Sequence, residues 1–400
     1  MFHHDRTGSD HAGRIRIAEA NLLSVAAAPR SNWSFLVLRS DDGRTGWGEL
    51  TLRAHERLLK ATLEDLRPSL IGKTLVQVFR DFAARPSLPS GRVGNALLSA
   101  LDQAATDLLA QELGAPIFKL LGGHARQPLR GYATVNRSIR ERTPEGFAQA
   151  ALRAVKAGYR GVKIMPFDSM LPATASSPHG LEEIERTLTR IEAVRAAVGD
   201  EIQLMVDCHW RLDEAGAMAF IERVARSRLH WLECPVPENE LWDDSIARLH
   251  KHANAHGMLL AGAENGVCGS GYARFIRKRL YDVVMPDIKY CGGYGELAQI
   301  VRMAQEEDVV VSLHNPTGPV AHAHTLHACL ALGLDEPVEH QFAESPLFES
   351  LIVGNGPTFA DGCFEVGDAP LGLGFKVDSE LAARHPLAPV PLSLADPSFA

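Results

Sequence analysis

Between residues 14 and 50 the apolar content falls in three runs. "RIRIAEANLLSV" and "NWSFLVLRS" carry the first two, and "DDGRTGWGEL" turns at Asp42-Gly43 into a third. These runs predict three strands. The spacing then becomes helical over 52–66, 75–84 and 93–113. The last helix, "VGNALLSALDQAATDLLAQELG", has an apolar stripe and stops at Gly114, ahead of Pro116. Together these elements predict a compact α+β domain over 14–128. It follows a polar tail, 1–13, that is expected to be disordered.

From residue 129 short apolar runs alternate with amphipathic helical stretches. The runs are "LRGYATV", "GVKIM", "IQLMVD", "LHWLE", "MLLAGAE", "YDVVMPD", "VVVSLH" and "VEHQFAE". Strands that alternate with helices imply right-handed βαβ units and a parallel sheet. Eight such units predict an α/β chain closed as a (β/α)8 barrel over 129–345. A doubly wound open sheet is the alternative, but no G-x-G-x-x-G follows the first run. In the remaining 346–400, "GPTFADGCFEVGDAPLGLGF" predicts a hairpin that packs back on the first domain.

Composition narrows the function classes. Of 400 residues, 46% are apolar and 22% charged, which suits a globular chain with room for a barrel and a smaller domain. The net charge of -8 gives no pull toward nucleic acid or an anionic membrane. No apolar stretch is long enough to span a bilayer, and "MFHHDRTGSDHAGR" has no signal core. Six scattered cysteines without a C-x-x-C pair imply free thiols and a cytoplasmic setting.

Ionisable residues close run after run: Lys163 in the second, then Asp207 with His209, Glu233, Glu264, Asp287, His314 and Glu344. In a barrel these ends ring one mouth, where such barrels do chemistry. A single Asp there could be a helix cap, but a succession of such groups predicts an active site. Asp207, Glu233 and Glu264 would repel one another unless a cation sat between them. An all-oxygen donor set favours a hard ion, Mg2+, over zinc. Asp287 and His314 end adjacent strands, and a carboxylate beside an imidazole makes a general base. Asp207 and His209, two apart at the end of a strand, are expected to face the same way.

These residues, with "GWGEL", "VDCHW", "WLECPVPEN", "GAENG", "MPDIKYCGG" and "SLHNPTGPVA", resemble the mandelate racemase branch of the enolase superfamily along nearly the whole chain. The resemblance implies an N-terminal α+β capping domain over a modified (β/α)8 TIM barrel. It implies Mg2+ on Asp207, Glu233 and Glu264, a dyad of His314 and Asp287, and an eighth-strand acid best matched by Glu344, with Glu339 the other choice. The Asp-x-His of 207–209 and the "HNPTGPVA" segment are similar to the galactonate dehydratase group, where the matching histidine is the general acid. Met165 stands where a mandelate-type racemase would carry a second lysine.

The resemblance and the chemistry together imply a dehydratase of a sugar acid, aldonate or aldarate. His314 takes the α-proton to give an enediolate, and His209 protonates the departing β-hydroxyl. Lys163, opposite the dyad, neutralises the substrate carboxylate or serves as a second base, and Glu344 bonds a substrate oxygen. Arg30 and Asn32, in the segment matching the capping loop, and Lys289 are candidate substrate contacts. The alternatives are a racemase or epimerase using Lys163 and His314, a cycloisomerase, or a binder of sugar acids without catalysis. The family also implies a homo-oligomer, from dimer to octamer. His322, His324 and His327 are expected to face solvent or pack on a helix rather than bind metal. The loop "FDSMLPATASSPHG" is a candidate lid.

Overall fold

The computed structural model describes residues 11–29, 31–83, 88, 90–124, 128–168, 170–367 and 371–387. Among these, β1 (Ile17–Ala28), β2 (Ser31–Ser40) and β3 (Thr45–Glu49) form an antiparallel sheet in that order. Helices α1 (Glu56–Leu70), α2 (Leu75–Ala83) and α3 (Arg92–Glu112) pack on it, and a single turn, α4 (Ile117–Leu120), follows. The expected helix 52–66 begins later, because 53–54 turn and Ala54 takes a φ of 61°.

β3 is the edge of its sheet, and α3 covers that edge with side chains one turn apart. Gln103 Oε1 accepts from Glu49 N at 2.9 Å, and Asp107 Oδ2 accepts from Trp47 N at 3.0 Å. Gln111 Nε2 donates to Thr45 O at 2.9 Å. The helix therefore does for the strand what a neighbouring strand would do. The approach is so close that a Cβ at Gly46 or Gly48 would lie 2.1 Å from Ala104 O or Ala100 O. That contact accounts for the glycines of "GWGEL".

The eight predicted runs are eight parallel strands: β4 (Leu129–Thr134), β5 (Gly161–Ile164), β6 (Gln203–Asp207), β7 (Trp231–Glu233), β8 (Leu259–Gly262), β9 (Val283–Val284), β10 (Val310–Val311) and β11 (Val338–Gln341). Seven helices connect them: α5 (Pro144–Lys156), α6 (Pro178–Val198), α7 (Glu214–Val224), α8 (Asp243–Ala255), α9 (Cys268–Arg277), α10 (Tyr294–Glu306) and α11 (Pro319–Leu332). The strand order is β10-β9-β8-β7-β6-β5-β4, with β11 on the far side of β4. β10 and β11 share no ladder among the described residues. Asn315 bridges that seam, its N donating to Glu339 Oε2 (2.9 Å) and its Nδ2 to Glu339 O (2.8 Å). The bore is filled by Tyr132, Met205, Trp231, Ala261, Val283 and Met285. These buried side chains form a floor beneath the charged groups of the mouth.

One expectation needs correction. The hairpin of β13 (Thr358–Ala360) and β14 (Cys363–Glu365), preceded by β12 (Ile352–Gly354), does not lie on the first domain. It extends β4, with Cys363 opposite Arg130 and Phe364 opposite Leu129. The stretch that reaches the first domain is 371–387, with β15 (Phe375–Val377) and α13 (Ser379–Ala383). Leu373 N donates to Asp107 Oδ1 at 3.0 Å, and Ala26 N to His385 O at 3.0 Å. The α11 histidines pack, which is one of the two placements expected of them, and none of the three faces solvent. His322, His324 and His327 are 4%, 0% and 0% exposed, because α11 is wedged between the barrel and the first domain and is buried all round. His324 bonds Trp47 O (2.9 Å) and Tyr294 OH (2.7 Å), His327 Nδ1 accepts from Phe118 N (3.3 Å), and His322 meets Asn315 (2.7 Å).

Burial pushes His324 down to about 4 and His327 to about 3. An unfolded histidine titrates near ~6.5, so below that pH the unfolded chain binds more protons than the folded one. Stability is therefore full above neutrality and is lost as pH falls from 6.5 toward 4. We expect the urea midpoint at pH 5 to lie below that at pH 7. His327→Gln, which keeps an acceptor for Phe118 N but cannot titrate there, should shrink the difference. An unchanged difference would show that these histidines do not set it.

Candidate active site

Asp207 and Glu233 are the last residues of β6 and β7, and Glu264 stands two residues past β8. One oxygen from each lies within 4.8 Å of the others, and all three residues are buried. The chain is bent to bring them there. His209, Trp210, Cys234 and Ala263 take left-handed φ values of 48°, 55°, 45° and 66° beside these ligands. None is glycine, so each stores strain of the kind that collects at functional sites. Burial and the other two carboxylates push the Glu264 carboxyl well above the usual range. Burial pushes Glu233 up to about 7 against the pull of Lys163. Asp207 goes the other way: burial opposes ionisation, but His209 and Lys163 hold it low. Glu264 Oε2 is buried without a hydrogen-bond partner. A cation among the three carboxylates would satisfy that oxygen and remove the repulsion, and an all-oxygen donor set suits a hard divalent ion.

Next to the trio a second charged group fills the bore. Lys163 Nζ lies 2.9 and 3.1 Å from the Glu233 oxygens and 2.9 Å from Glu339 Oε1. Trp231 Nε1 donates to Glu233 Oε2 at 3.0 Å, and Thr134 Oγ1 to Glu339 Oε1 at 2.5 Å. Burial alone would lower the Lys163 pKa, but the two carboxylates outweigh it and hold it well above the ordinary value. Glu339 is therefore the acid that β11 points into the bore. Glu344 stands on the following loop, where Arg137 Nη1 reaches its Oε1 at 2.9 Å, and its Oε2 is buried without a hydrogen bond.

His314 Nδ1 lies 2.8 Å from Asp287 Oδ2, and its Nε2 lies 3.4 Å from Glu264 Oε2. An ionised carboxylate only accepts, so the hydrogen bond assigns the proton to Nδ1 and leaves the Nε2 lone pair facing the trio. Burial opposes the charge on Asp287, but Lys289 and His314 hold the carboxyl at about 2. Lys289 Nζ donates to the same Oδ2 at 2.7 Å. It thus lies behind the dyad as its counter-charge. Burial pulls His314 itself below the ordinary value, against the opposing effect of Asp287.

His209 does meet Asp207, through Nε2 to Oδ2 at 2.9 Å, but not as strand neighbours. β6 ends at Asp207, and a left-handed turn folds His209 back so that its N also donates to Oδ1 at 2.9 Å. Of the expected substrate contacts, Asn32 is buried on β2 with Nδ2 donating to Glu56 Oε1 at 3.0 Å. Arg30 lies outside the described residues. Sequence reasoning passed over Trp231, Thr134 and Asn315. The period of two did carry a signal for Trp231, which stands two residues before Glu233 on the same strand face.

Comparison with known proteins shows the family. Residues 15–122 match the model of the mandelate racemase/muconate lactonizing enzyme N-terminal domain, and 146–381 match that of the enolase C-terminal domain-like family. The chain is similar to a D-galactonate dehydratase of Verminephrobacter eiseniae, 29% identical over 76% of this chain and 77% of the other. It is 27% identical to a D-mannonate dehydratase of Caulobacter vibrioides, over 93% and 95%. A member of the enolase superfamily from Salmonella Typhimurium superposes with a TM-score of 0.82 at 22% identity, covering 93% and 98% of the two chains. No helix of the described residues is long and apolar enough to cross a membrane.

The trio predicts a stability linkage. Addition of a hard divalent cation to a chelator-treated sample should stabilise the fold by about 2.7 kcal/mol at a hundredfold excess over Kd, read as a rise in melting temperature. Glu264→Gln removes one of the mutually repelling charges. It should leave the metal-free protein at least as stable and lose most of the cation-induced shift. A full shift in Glu264→Gln would remove Glu264 from the ligand set.

Proposed function

The chain belongs to the mandelate racemase/muconate lactonizing enzyme family of the enolase superfamily, and from that premise we propose that it is a hydro-lyase that dehydrates a sugar acid to a 2-keto-3-deoxy acid. The observation that carries the reading is the pair of imidazoles flanking the carboxylate trio. His314 faces Glu264 with a carboxylate behind it, and His209 faces Asp207 without one. Elimination of water needs a base on one carbon and an acid on the next, and these two rings are suited to the two tasks. The relatives named above are called dehydratases of galactonate and of mannonate; the shared reaction, not either sugar, comes to this chain.

In this reading His314 Nε2 takes the α-proton, while the Nδ1 bond to Asp287 fixes the ring and stabilises the imidazolium. Lys289 keeps Asp287 ionised. Electrons from the broken C–H bond form the enolate of the substrate, and the β-hydroxyl leaves as water with a proton from His209. The resulting enol takes up a proton at the β-carbon and becomes the keto acid. Mg2+ held by Asp207, Glu233 and Glu264 would supply positive charge against the carboxylate as negative charge builds on it. Lys163 adds a second positive charge. Engaged by both Glu233 and Glu339, it is poorly placed to be the free second base that a racemase needs. Glu344 and Asn32 with Arg30 remain candidates for holding the substrate's hydroxyls. We take the setting to be the cytoplasm, where six free thiols persist, and the assembly to be a homo-oligomer.

The test is a set of aldonates and aldarates incubated with Mg2+, read for keto-acid product and, in D2O, for deuterium at C2. One or two of them should give keto product. Deuterium at C2 without keto product would replace dehydration by epimerisation. A product of unchanged mass and no ketone would indicate cycloisomerisation, and no change in any substrate would favour a binder. His314→Asn should lower turnover by roughly 10²–10⁴ and stop the exchange as well. His209→Asn should stop dehydration while C2 exchange continues. Loss of both in His209→Asn would assign it to the metal site and not to the acid.

A further inference from the structure

The two loops that carry the dyad follow strands that pair with each other over only two residues, β9 and β10. Each loop has bonds of its own, Cys291 N to Asp287 O at 2.8 Å in the first and Asn315 N to Glu339 Oε2 at 2.9 Å in the second, and His314 N to Pro286 O at 3.1 Å joins the two. Yet the Nδ1–Oδ2 contact is 2.8 Å and the side chains are buried. The additional support comes from the capping domain. Gln103 is fully buried on α3. Its Oε1 accepts from Glu49 N, and its Nε2 donates at 3.0 Å to the carbonyl of Ile288, the residue between Asp287 and Lys289. Glu49 is fully buried at the end of β3, and its carboxylate turns to the other loop. There it accepts from Thr317 Oγ1 (2.7 Å), Gly318 N (2.9 Å) and Ala321 N (2.8 Å). Thr51 Oγ1 supplies a further bond at 2.7 Å. Thr317 lies three residues beyond His314, Gly318 is the N-cap of α11 and Ala321 is in its first turn, where the helix dipole favours a negative charge. The contact is tight: a Cβ on Gly318 would lie 2.9 and 3.0 Å from the two Glu49 oxygens.

We propose that Glu49 and Gln103 are positioning residues for the reaction: one junction in the capping domain that fixes the loop of Asp287 relative to the loop of His314. Gln103 holds the first loop by Ile288 O and Glu49 holds the second by the start of α11. Because Gln103 also bonds the backbone of Glu49, the two loops are referred to a single point. Neither residue touches the substrate. This inference rests on the reading of His314 as the base.

The test compares Gln103→Leu, Gln103→Glu and Glu49→Gln with Gln111→Leu. Gln111 ties the same helix to the same strand through Thr45 O, and its other bond is to Asp107 on its own helix. Misplacing reacting groups by about 1 Å can cost ~10²-fold, so the Gln103 and Glu49 variants should lose roughly ten- to a hundredfold in kcat with KM within about threefold. Gln103→Glu, which keeps the acceptor for Glu49 N but not the donor to Ile288, reports the clamp if Gln103→Leu does not fold. Gln111→Leu should lower the melting temperature and leave kcat unchanged. Crystal structures of the Gln103 variants should show the His314–Asp287 contact lengthened beyond hydrogen-bond range. Folded Gln103 variants with native kcat and a native contact would overturn the proposal, as would a Gln111→Leu variant that loses as much kcat as they do. If the native protein turned over no sugar acid, the functional reading would fail, and the contact distance would still decide the clamp.

Discussion

Negative charge held out of water is the constraint on which the site depends. Asp207, Glu233, Glu264, Asp287 and Glu339 are all at most 6% exposed around one barrel mouth. Two unit charges about 4 Å apart interact by about 4 kcal/mol at an effective dielectric near 20, so such a set must be interleaved with positive charge. Lys163 lies between Glu233 and Glu339, and Lys289 lies behind Asp287. Glu264 lies 3.4 Å from the His314 ring, feels Lys163 only at a distance, and has an oxygen that no hydrogen-bond donor satisfies among the described residues. Compensation by fixed positive charge is weakest where the three carboxylates of Asp207, Glu233 and Glu264 meet. A cation there would supply it.

The barrel alone does not build this site. Its strands are two to six residues long, and the seam between β10 and β11 is crossed by a side chain, Asn315, rather than by a ladder. α3 of the capping domain covers the mouth with polar residues set into an otherwise apolar helix. Arg92 reaches Asn265, Ser99 receives Gly292 N, Asp102 accepts from Tyr294 N and Gln103 reaches Ile288 O. Three of these partners belong to the loops that follow β8 and β9, and Tyr294 begins α10. α3 thus closes a sheet edge with one stripe and holds the loops after β8 and β9 with another.

Much of this was legible in the sequence. Strand ends carry the chemistry because a parallel barrel gathers all of its strand C-termini at one mouth, so Asp207, Glu233, Glu264, Asp287 and His314 could be read from eight apolar runs. The pattern stops short where tertiary packing decides between placements that local periodicity leaves open. "AHAHTLHACLAL" reads as a helix with polar positions, but no spacing rule says that both of its faces will be covered. His209 lay beside Asp207 as expected, yet through a left-handed turn that strand geometry does not contain. Glu49 and Gln103 gave no signal, because a lone acid in "GWGEL" and a lone amide in an alanine-rich helix look like surface residues.

What the sequence determined by itself is therefore the order of elements and the identity of the groups at the mouth. Both follow from local periodicity and from side-chain type. The tertiary structure decided which of those groups touch. It turned the bore-facing acid into Glu339 rather than Glu344, made Lys289 the counter-charge of Asp287, and set the α11 histidines inside. The physical reason is that contacts between residues far apart in the chain depend on how closely two backbones approach. Here the approach of β3 to α3 and of Glu49 to α11 is set by glycines whose partners lie tens to hundreds of residues away.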